Sequence, residues 1–275
     1  MRSLVVPIAD IHAMLKIGLM PPKVVERPGE KYEQIYRQNK RQKWIWKRWC
    51  ATQRKLFGLK VDEIVVFLMG DMIHGDKKDF SVHSTKLRTQ SEAAVECILP
   101  YANRSSKSYA VSGTEWHVGP DGNEESWIAG ELGCYKRVVF DKLEVSVQGV
   151  RFMLQHKGPS LGSRKWIRGN GMRYTLKDAH IRALERGTTA SDIYLWAHFH
   201  TYHHEALDIE SAQGVRTIHG YTCPAWVTAD EYSLMSVKNL EFSDVGLIYF
   251  IVEDGKAECF KAFERFDNVE RVKHG

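Results

Sequence analysis

Five short polar islands, each set where a hydrophobic run ends, constrain this chain more than any other feature. They are Asp10-Ile11-His12, Gly70-Asp71, Gly113-Thr114-Glu115-Trp116-His117, His156 and His198-Phe199-His200. The runs before them, residues 4–9, 63–69, 108–112, 151–155 and 192–197, read as buried strands. Asp10 and His12 alternate, as do His198 and His200, so each pair shares one side of an extended chain. At the carboxyl ends of strands in an open α/β sheet, such side chains point into one crevice. Carboxylates and imidazoles gathered there can hold two divalent cations, and they suit Mn, Fe or Zn better than Ca.

The rest of the chain supplies an alternating frame. Residues 18–29 contain Pro21, Pro22 and Pro28 and read as a loop. Residues 30–57 read as a helix, with Tyr32, Tyr36, Trp46, Trp49, Cys50 and Phe57 near one face. A second helix is expected over 82–101 and a third over 174–186, stopped by Gly187. Residues 137–140, 143–147 and 151–155 have hairpin spacing, and residues 203–263 read mostly as strands with turns at Gln213-Gly214 and Asp254-Gly255. The front half alternates strand and helix, whereas the back half meanders. That pattern predicts a parallel sheet packed on a more antiparallel one, with helices outside. No linker divides residues 1–275, so a single domain is expected.

Composition narrows the class of protein. With 275 residues, 43% of them hydrophobic and 27% charged, the chain can bury a sizeable core without covalent staples. Its five cysteines form no CxxC pair and are odd in number, as expected of reduced thiols in a cytoplasmic protein. The first residues are too soon interrupted by Pro7 for a secretory signal. No run approaches the ~20 apolar residues of a membrane span, so no membrane partner is expected.

The islands, in this order, resemble the DxH, GD, GNH, lone H and GHxH pattern of the calcineurin-like metallophosphoesterases, among which the closest in flavour are the Mre11/SbcD-type nucleases. The resemblance implies an α/β fold, a four-layer α/β/β/α sandwich of two mixed β-sheets flanked by helices. It also implies two divalent metal ions, with manganese favoured over Fe, Zn or Mg. Asp10, His12, Asp71 and His200 would hold one ion, and Asp71, His156 and His198 the other. Two of the islands depart from the pattern. Ala197 replaces a glycine, and Thr114 and Glu115 stand where the family has a metal-binding Asn and a catalytic His. His117 either ligates the second ion or gives a proton or hydrogen bond to the leaving oxygen; the catalytic role is preferred here. His74 follows Asp71 as a phosphate-binding histidine does in Mre11-type nucleases. The remaining histidines, His83, His180, His203, His204, His219 and His274, are read as structural or surface residues.

The expected chemistry is in-line attack on phosphorus by a hydroxide bridging the two ions. Two basic stretches bear on the substrate. Arg37, Lys40, Arg41, Lys43, Lys47, Arg48, Arg54 and Lys55, with Trp44, Trp46 and Trp49 interleaved, read as an amphipathic helix whose aromatics pack on a sheet. The glycine-rich stretch after His156 offers Arg164, Lys165, Arg168 and Arg173 to phosphates and Trp166 to a base, although Arg173 can equally brace the helix that follows. These features predict a nuclease acting on nucleic acid, DNA by preference. A nucleotide-sized phosphoester and a non-catalytic nucleic-acid-binding scaffold are the other readings. Trp226 and Tyr232 either border the cleft or fill a core.

Overall fold

The structure, a computed structural model, describes residues 1–29, 31–75, 81–118, 123–162, 165–211, 214–228 and 242–267. Strand β1 (Arg2–Ile8) shows why the architecture is layered. Leu4, Val6 and Ile8 face one side of it and Val5 the other, and all four are fully buried. A strand apolar on both faces needs cover on both. Its neighbours are β4 (Glu63–Leu68), parallel to it, and β12 (Phe242–Glu253), antiparallel. Beyond β4 lie β5 (Lys107–Val111) and β6 (Val139–Phe140), both parallel, and beyond β12 lies the antiparallel β13 (Lys256–Asp267). The order is β13-β12-β1-β4-β5-β6.

The second sheet runs β10 (His203–Ser211), β11 (Gly214–Thr222), β9 (Ile193–Ala197), β8 (Val150–Lys157), β7 (Leu143–Val147). Its three inner strands are parallel and its two outer ones antiparallel. Val5, Phe67, Phe152, Leu195 and Phe250 fill the space between the sheets. Helices α1 (Lys40–Phe57), α2 (Leu87–Ala102) and α4 (Asn123–Glu131) cover the outer face of the first sheet through Ile45, Trp49, Ile98 and Ile128. Helix α5 (Asn170–Glu185) covers the second, setting Met172 and Leu176 on Tyr194, Trp196 and Ile218. One further turn, α3 (Glu115–Val118), follows β5. The result is the expected four-layer α/β/β/α sandwich of two mixed sheets. No helix among the described residues is long and apolar enough to cross a membrane.

Several local expectations need correction. The segment expected to open the first helix instead forms β3 (Gln34–Arg37), paired with β2 (Lys23–Glu26), which lies inside the expected loop. Strand β2 fits between Pro22 and Pro28 because neither proline falls within the ladder. Helix α1 then starts at a capping box: the Asn39 side chain accepts from Gln42 N at 3.0 Å, and Gln42 Oε1 accepts from Asn39 N at 3.0 Å. Helix α2 begins at Leu87, because Val82 bridges to Leu15 instead of entering the helix. The second sheet has a parallel centre because α5 connects β8 to β9 as a crossover. Trp226 is a core residue, fully buried against Trp49, whereas Tyr232 lies outside the described residues.

Trp49 is the centre of the helix-side core, edge-on to both Tyr101 and Trp226 at 5.2 and 4.8 Å. Trp49→Ala is expected to cost about 3–5 kcal/mol in urea unfolding, and Asn39→Ala about 1 kcal/mol. A Trp49→Ala protein with an unchanged urea midpoint would contradict this packing.

Candidate metal centre

The proposed ligands leave their strands through strained backbone. Asp10, His12, Asp71, His198 and His200 have φ of 47°, 41°, 54°, 72° and 52°. Non-glycine residues rarely adopt the left-handed region, and each such residue costs on the order of 1–3 kcal/mol. Main-chain hydrogen bonds hold the turns: Asp10 N donates to Gly70 O, and His12 N to Asp71 O, each at 3.2 Å. Two glycines make the close approach possible. A Cβ on Gly70 would sit 2.6 Å from Gly113 Cα and 2.8 Å from His156 Nδ1, and one on Gly113 would overlap the Asp71 carboxylate. Ala197, where the family has glycine, ends β9 without a positive φ.

These turns bring the six side chains together in two sets. The ligand atoms of Asp10, His12 and His200 lie within 4.8 Å of one another, and so do those of Asp71, His156 and His198. The sets abut, since His156 Nε2 is 3.0 Å from Asp71 Oδ2 and 3.9 Å from Asp10 Oδ1. His198 N also donates to Asp10 Oδ2 at 3.1 Å. Asp71 falls in the second of these neighbouring sets.

The residues fit divalent cations. Asp10 Oδ1 and His156 Nε2 are buried and have no hydrogen-bond partner, a costly arrangement unless something else meets them. The His156 Nδ1–H donates to Met69 O at 2.6 Å, which aims Nε2 at the two carboxylates. His12 Nε2 and His200 Nε2 are 3.3 Å apart. Burial holds His12 well below its ordinary value, helped by His117, His200, His74 and His156, which favours the neutral ring with one nitrogen lone pair to give.

His74 and His117 join the same crowd. His117 Nδ1–H donates to His74 O at 2.7 Å, leaving Nε2 3.9 Å from Asp71 Oδ2. His74 Nδ1 lies 3.4 Å from His12 Nδ1. Thr114 addresses Asp71: its N–H donates to Oδ1 at 2.7 Å and its hydroxyl stands 3.2 Å from each carboxylate oxygen. Glu115 is exposed.

Two positioning groups escaped the sequence reading. Glu125 of α4 is buried and accepts from Gly113 N at 2.7 Å and Met72 N at 3.3 Å, tying together the turns after β4 and β5. Burial, then the charge of Asp71, pushes its carboxyl up to about 7. Asp244 of β12 accepts from Thr201 Oγ1 at 3.1 Å and Tyr202 N at 2.9 Å, which anchors the chain just past His200. Neither residue sits in a recognisable motif, because each acts on backbone far away in sequence.

The phosphate-binding candidates separate. Arg168 is exposed and donates to Thr201 Oγ1 at 3.0 Å, one residue from His200. Arg173 pairs with Glu205 at 2.9 Å and also bonds Asn170, the bracing role. Arg164 and the side chain of Lys165 lie outside the described residues. On α1, Trp44, Trp46 and Trp49 pack against the first sheet's core, and Arg48 lies over Trp44 while paired with Glu264. Of the histidines read as structural, His83 bonds Gln42 at 2.9 Å, His203 bonds Glu205 at 2.7 Å and His204 meets His219 at 3.1 Å; His274 lies outside the described residues.

No protein-family model and no curated protein matches the sequence. Among solved structures the chain is similar to a metallophosphoesterase from Sphaerobacter thermophilus, with 13% identity and a TM-score of 0.38 over 97% of this chain and 89% of that one. It is also similar to a predicted phosphoesterase from Streptococcus pneumoniae, with 9% identity and a TM-score of 0.36 over 98% and 99%. A third is a single mutant of Vps29 from Entamoeba histolytica, with 12% identity and a TM-score of 0.34 over 97% and 99%. Scores this low assign no role to any residue. The four layers and the two abutting ligand sets are seen in this chain itself.

The His156–Asp71 contact has a measurable consequence. Burial alone would lower His156, but the Asp71 carboxylate 3.0 Å from its Nε2 and the charge of Asp10 raise it to about 10 from 6.5. The raised histidine stabilises the metal-free fold fully below pH 6.5, and that contribution is lost as the pH climbs towards 10. The same pair holds Asp71 down to about 2 against its own burial, so the acid-side loss comes only as the pH falls from 3.8 towards that value. The melting temperature of chelator-treated protein should therefore fall from pH 6.5 upward, and saturating Mn²⁺ should remove the fall by replacing the proton. A flat profile in the metal-free protein would contradict the pairing.

Proposed function

We propose that this chain is a calcineurin-like metallophosphoesterase that hydrolyses phosphodiester bonds of nucleic acid, DNA by preference, as one catalytic domain. The observation that carries this reading is the meeting of Asp10, His12 and His200 with Asp71, His156 and His198 around two buried ligand atoms, Asp10 Oδ1 and His156 Nε2, that make no hydrogen bond. Each set offers one carboxylate and two imidazoles, a donor mix that suits manganese, iron or zinc. Divalent cations held there would lower the pKa of bound water and neutralise charge on the phosphoryl oxygens.

The chain's own groups supply the rest. Thr114 orients the Asp71 carboxylate. His117 presents Nε2 towards the second set, with its ring held by His74 O, so protonated His117 can deliver a proton to the leaving oxygen. His74 stands beside His12 and His117, where it can hold a non-bridging phosphate oxygen. Arg168, anchored beside His200, adds a positive charge for the neighbouring phosphate.

Turnover of single- and double-stranded DNA, RNA, bis(p-nitrophenyl) phosphate and p-nitrophenyl phosphate with added Mn²⁺ tests the proposal. Diester cleavage is expected, with a loss of more than about a hundredfold in Asp71→Ala and His200→Ala, since even partners outside the ligand shell cost ~10–100-fold. Full activity after exhaustive chelation would sink the metal reading. Turnover confined to free nucleotides would replace nucleic acid by a small phosphoester, and metal-free, inactive protein would leave a binding scaffold.

A further inference from the structure

Two tryptophans stand exposed beside the centre. Trp166 is 78% exposed and Trp116 52%, although tryptophan is among the more buried residue types on average. They follow strands of different sheets. Trp116 follows β5 of the first sheet and directly precedes His117. Trp166 lies on the turn Lys165–Ile167 after β8 of the second sheet, two residues before Arg168, whose guanidinium reaches the residue next to His200. The ligand sets lie where turns from these two sheets meet.

Resting on the nucleic-acid phosphodiesterase reading above, we propose that the substrate is a single strand, which crosses the centre with one base stacked on Trp116 and another on Trp166. A duplex fits poorly for two physical reasons. Its base faces are already stacked inside the helix and offer nothing to an indole. The centre is also deep: Asp10, Asp71, His12 and His156 are at most 2% exposed, whereas His74, His198 and the side chains of His117 and His200, the last two at 16% and 31%, reach further out. A phosphate reaches such a floor when its neighbouring nucleotides can turn outward, and aromatic platforms capture bases turned that way without regard to sequence. DNA and RNA single strands share this chemistry.

Binding is read by fluorescence anisotropy, with Ca²⁺ in place of Mn²⁺ to prevent cleavage. The probes are labelled 20-mers of deoxythymidine and of uridine and a mixed-sequence duplex of equal length. The wild type should bind one or both single strands about tenfold or more tightly than the duplex. Trp116→Ala and Trp166→Ala should each weaken single-strand binding roughly fivefold or more, and the phenylalanine variants should retain most of it. The salt dependence should be unaltered in the tryptophan variants and shallower in Arg168→Ala, because stacking releases no counterions. Circular dichroism and metal content verify that the variants are folded and loaded. Equal binding of the duplex, undiminished binding by both alanine variants, or no nucleic-acid binding at all overturns the inference. If bis(p-nitrophenyl) phosphate is still hydrolysed in that last case, the phosphoesterase reading stands alone; if it is not, both fall.

Discussion

Two buried carboxylates set the terms for this molecule. Asp10 and Asp71 are 0% and 1% exposed, and His156 Nε2 lies within 4 Å of both. Charges removed from water are costly unless paired, and one imidazolium cannot satisfy two carboxylates while five further imidazoles press in. His12 shows the conflict: its neighbours are mostly other histidines, and together with burial they keep it from taking a proton. Cations resolve both sides at once, since they neutralise the carboxylates and use the lone pairs that the imidazoles hold. The strained turns follow from the same constraint. Five left-handed non-glycine residues in one small region would be a heavy burden on a fold that gained nothing from bringing these groups together.

The sandwich makes that convergence stable by tying the two sheets together at their strand ends. His156 of the second sheet donates to Met69 O at the end of the first, and His198 N donates to Asp10 Oδ2 in the same sense. Asp244 of β12 adds a third link of that sense, accepting from Thr201 and Tyr202 just beyond His200. Beneath these links the inter-sheet core is continuous through Phe67, Phe152 and Phe250, with the rings of Phe67 and Phe250 each packed edge-on to Phe152. A slip of one sheet over the other would separate the ligand sets, so the rigidity of the core and the geometry of the centre are one property.

Much of this was legible because it was local. The runs that became β1, β4, β5, β8 and β9 are short, apolar and followed at once by a polar island, so strand and ligand were read together. The Asp10/His12 and His198/His200 spacings are properties of an extended chain and survive folding even though each residue ends in a left-handed turn. What escaped was non-local. Tyr32 and Tyr36 match a helical period by number, yet the pairing of Val24 with Tyr36 makes that segment a hairpin, and a capping box at Asn39 starts the helix. Glu125 and Asp244 serve the backbone N–H groups of Met72 and Tyr202, 53 and 42 residues away, and one sequence contains no trace of which carboxylate will be buried against which amide. The turn before α5 shows a third limit: Arg173 looked like a phosphate ligand until Glu205, on β10, was seen to claim it.

Depth orders the centre in a way that spacing alone could not reveal. The carboxylates lie at the bottom, His12 and His156 beside them at 2% exposure, and His117 and His200 at the mouth. An anion approaching from solvent therefore meets imidazole first and carboxylate last, so repulsion by Asp10 and Asp71 acts on it only through whatever cations lie between. The Thr114 position fits this gradient. An amide there would offer an oxygen to a cation, whereas Thr114 spends its N–H on Asp71 and sets its hydroxyl against the same carboxylate, fixing the deepest ligand in place. Ligand capacity lost at that level is matched by an imidazole gained above it, since His117 comes three residues later on the one-turn helix α3 with its ring pinned by His74 O. The exchange of residue types thus moves an imidazole towards the mouth and leaves the floor to the carboxylates.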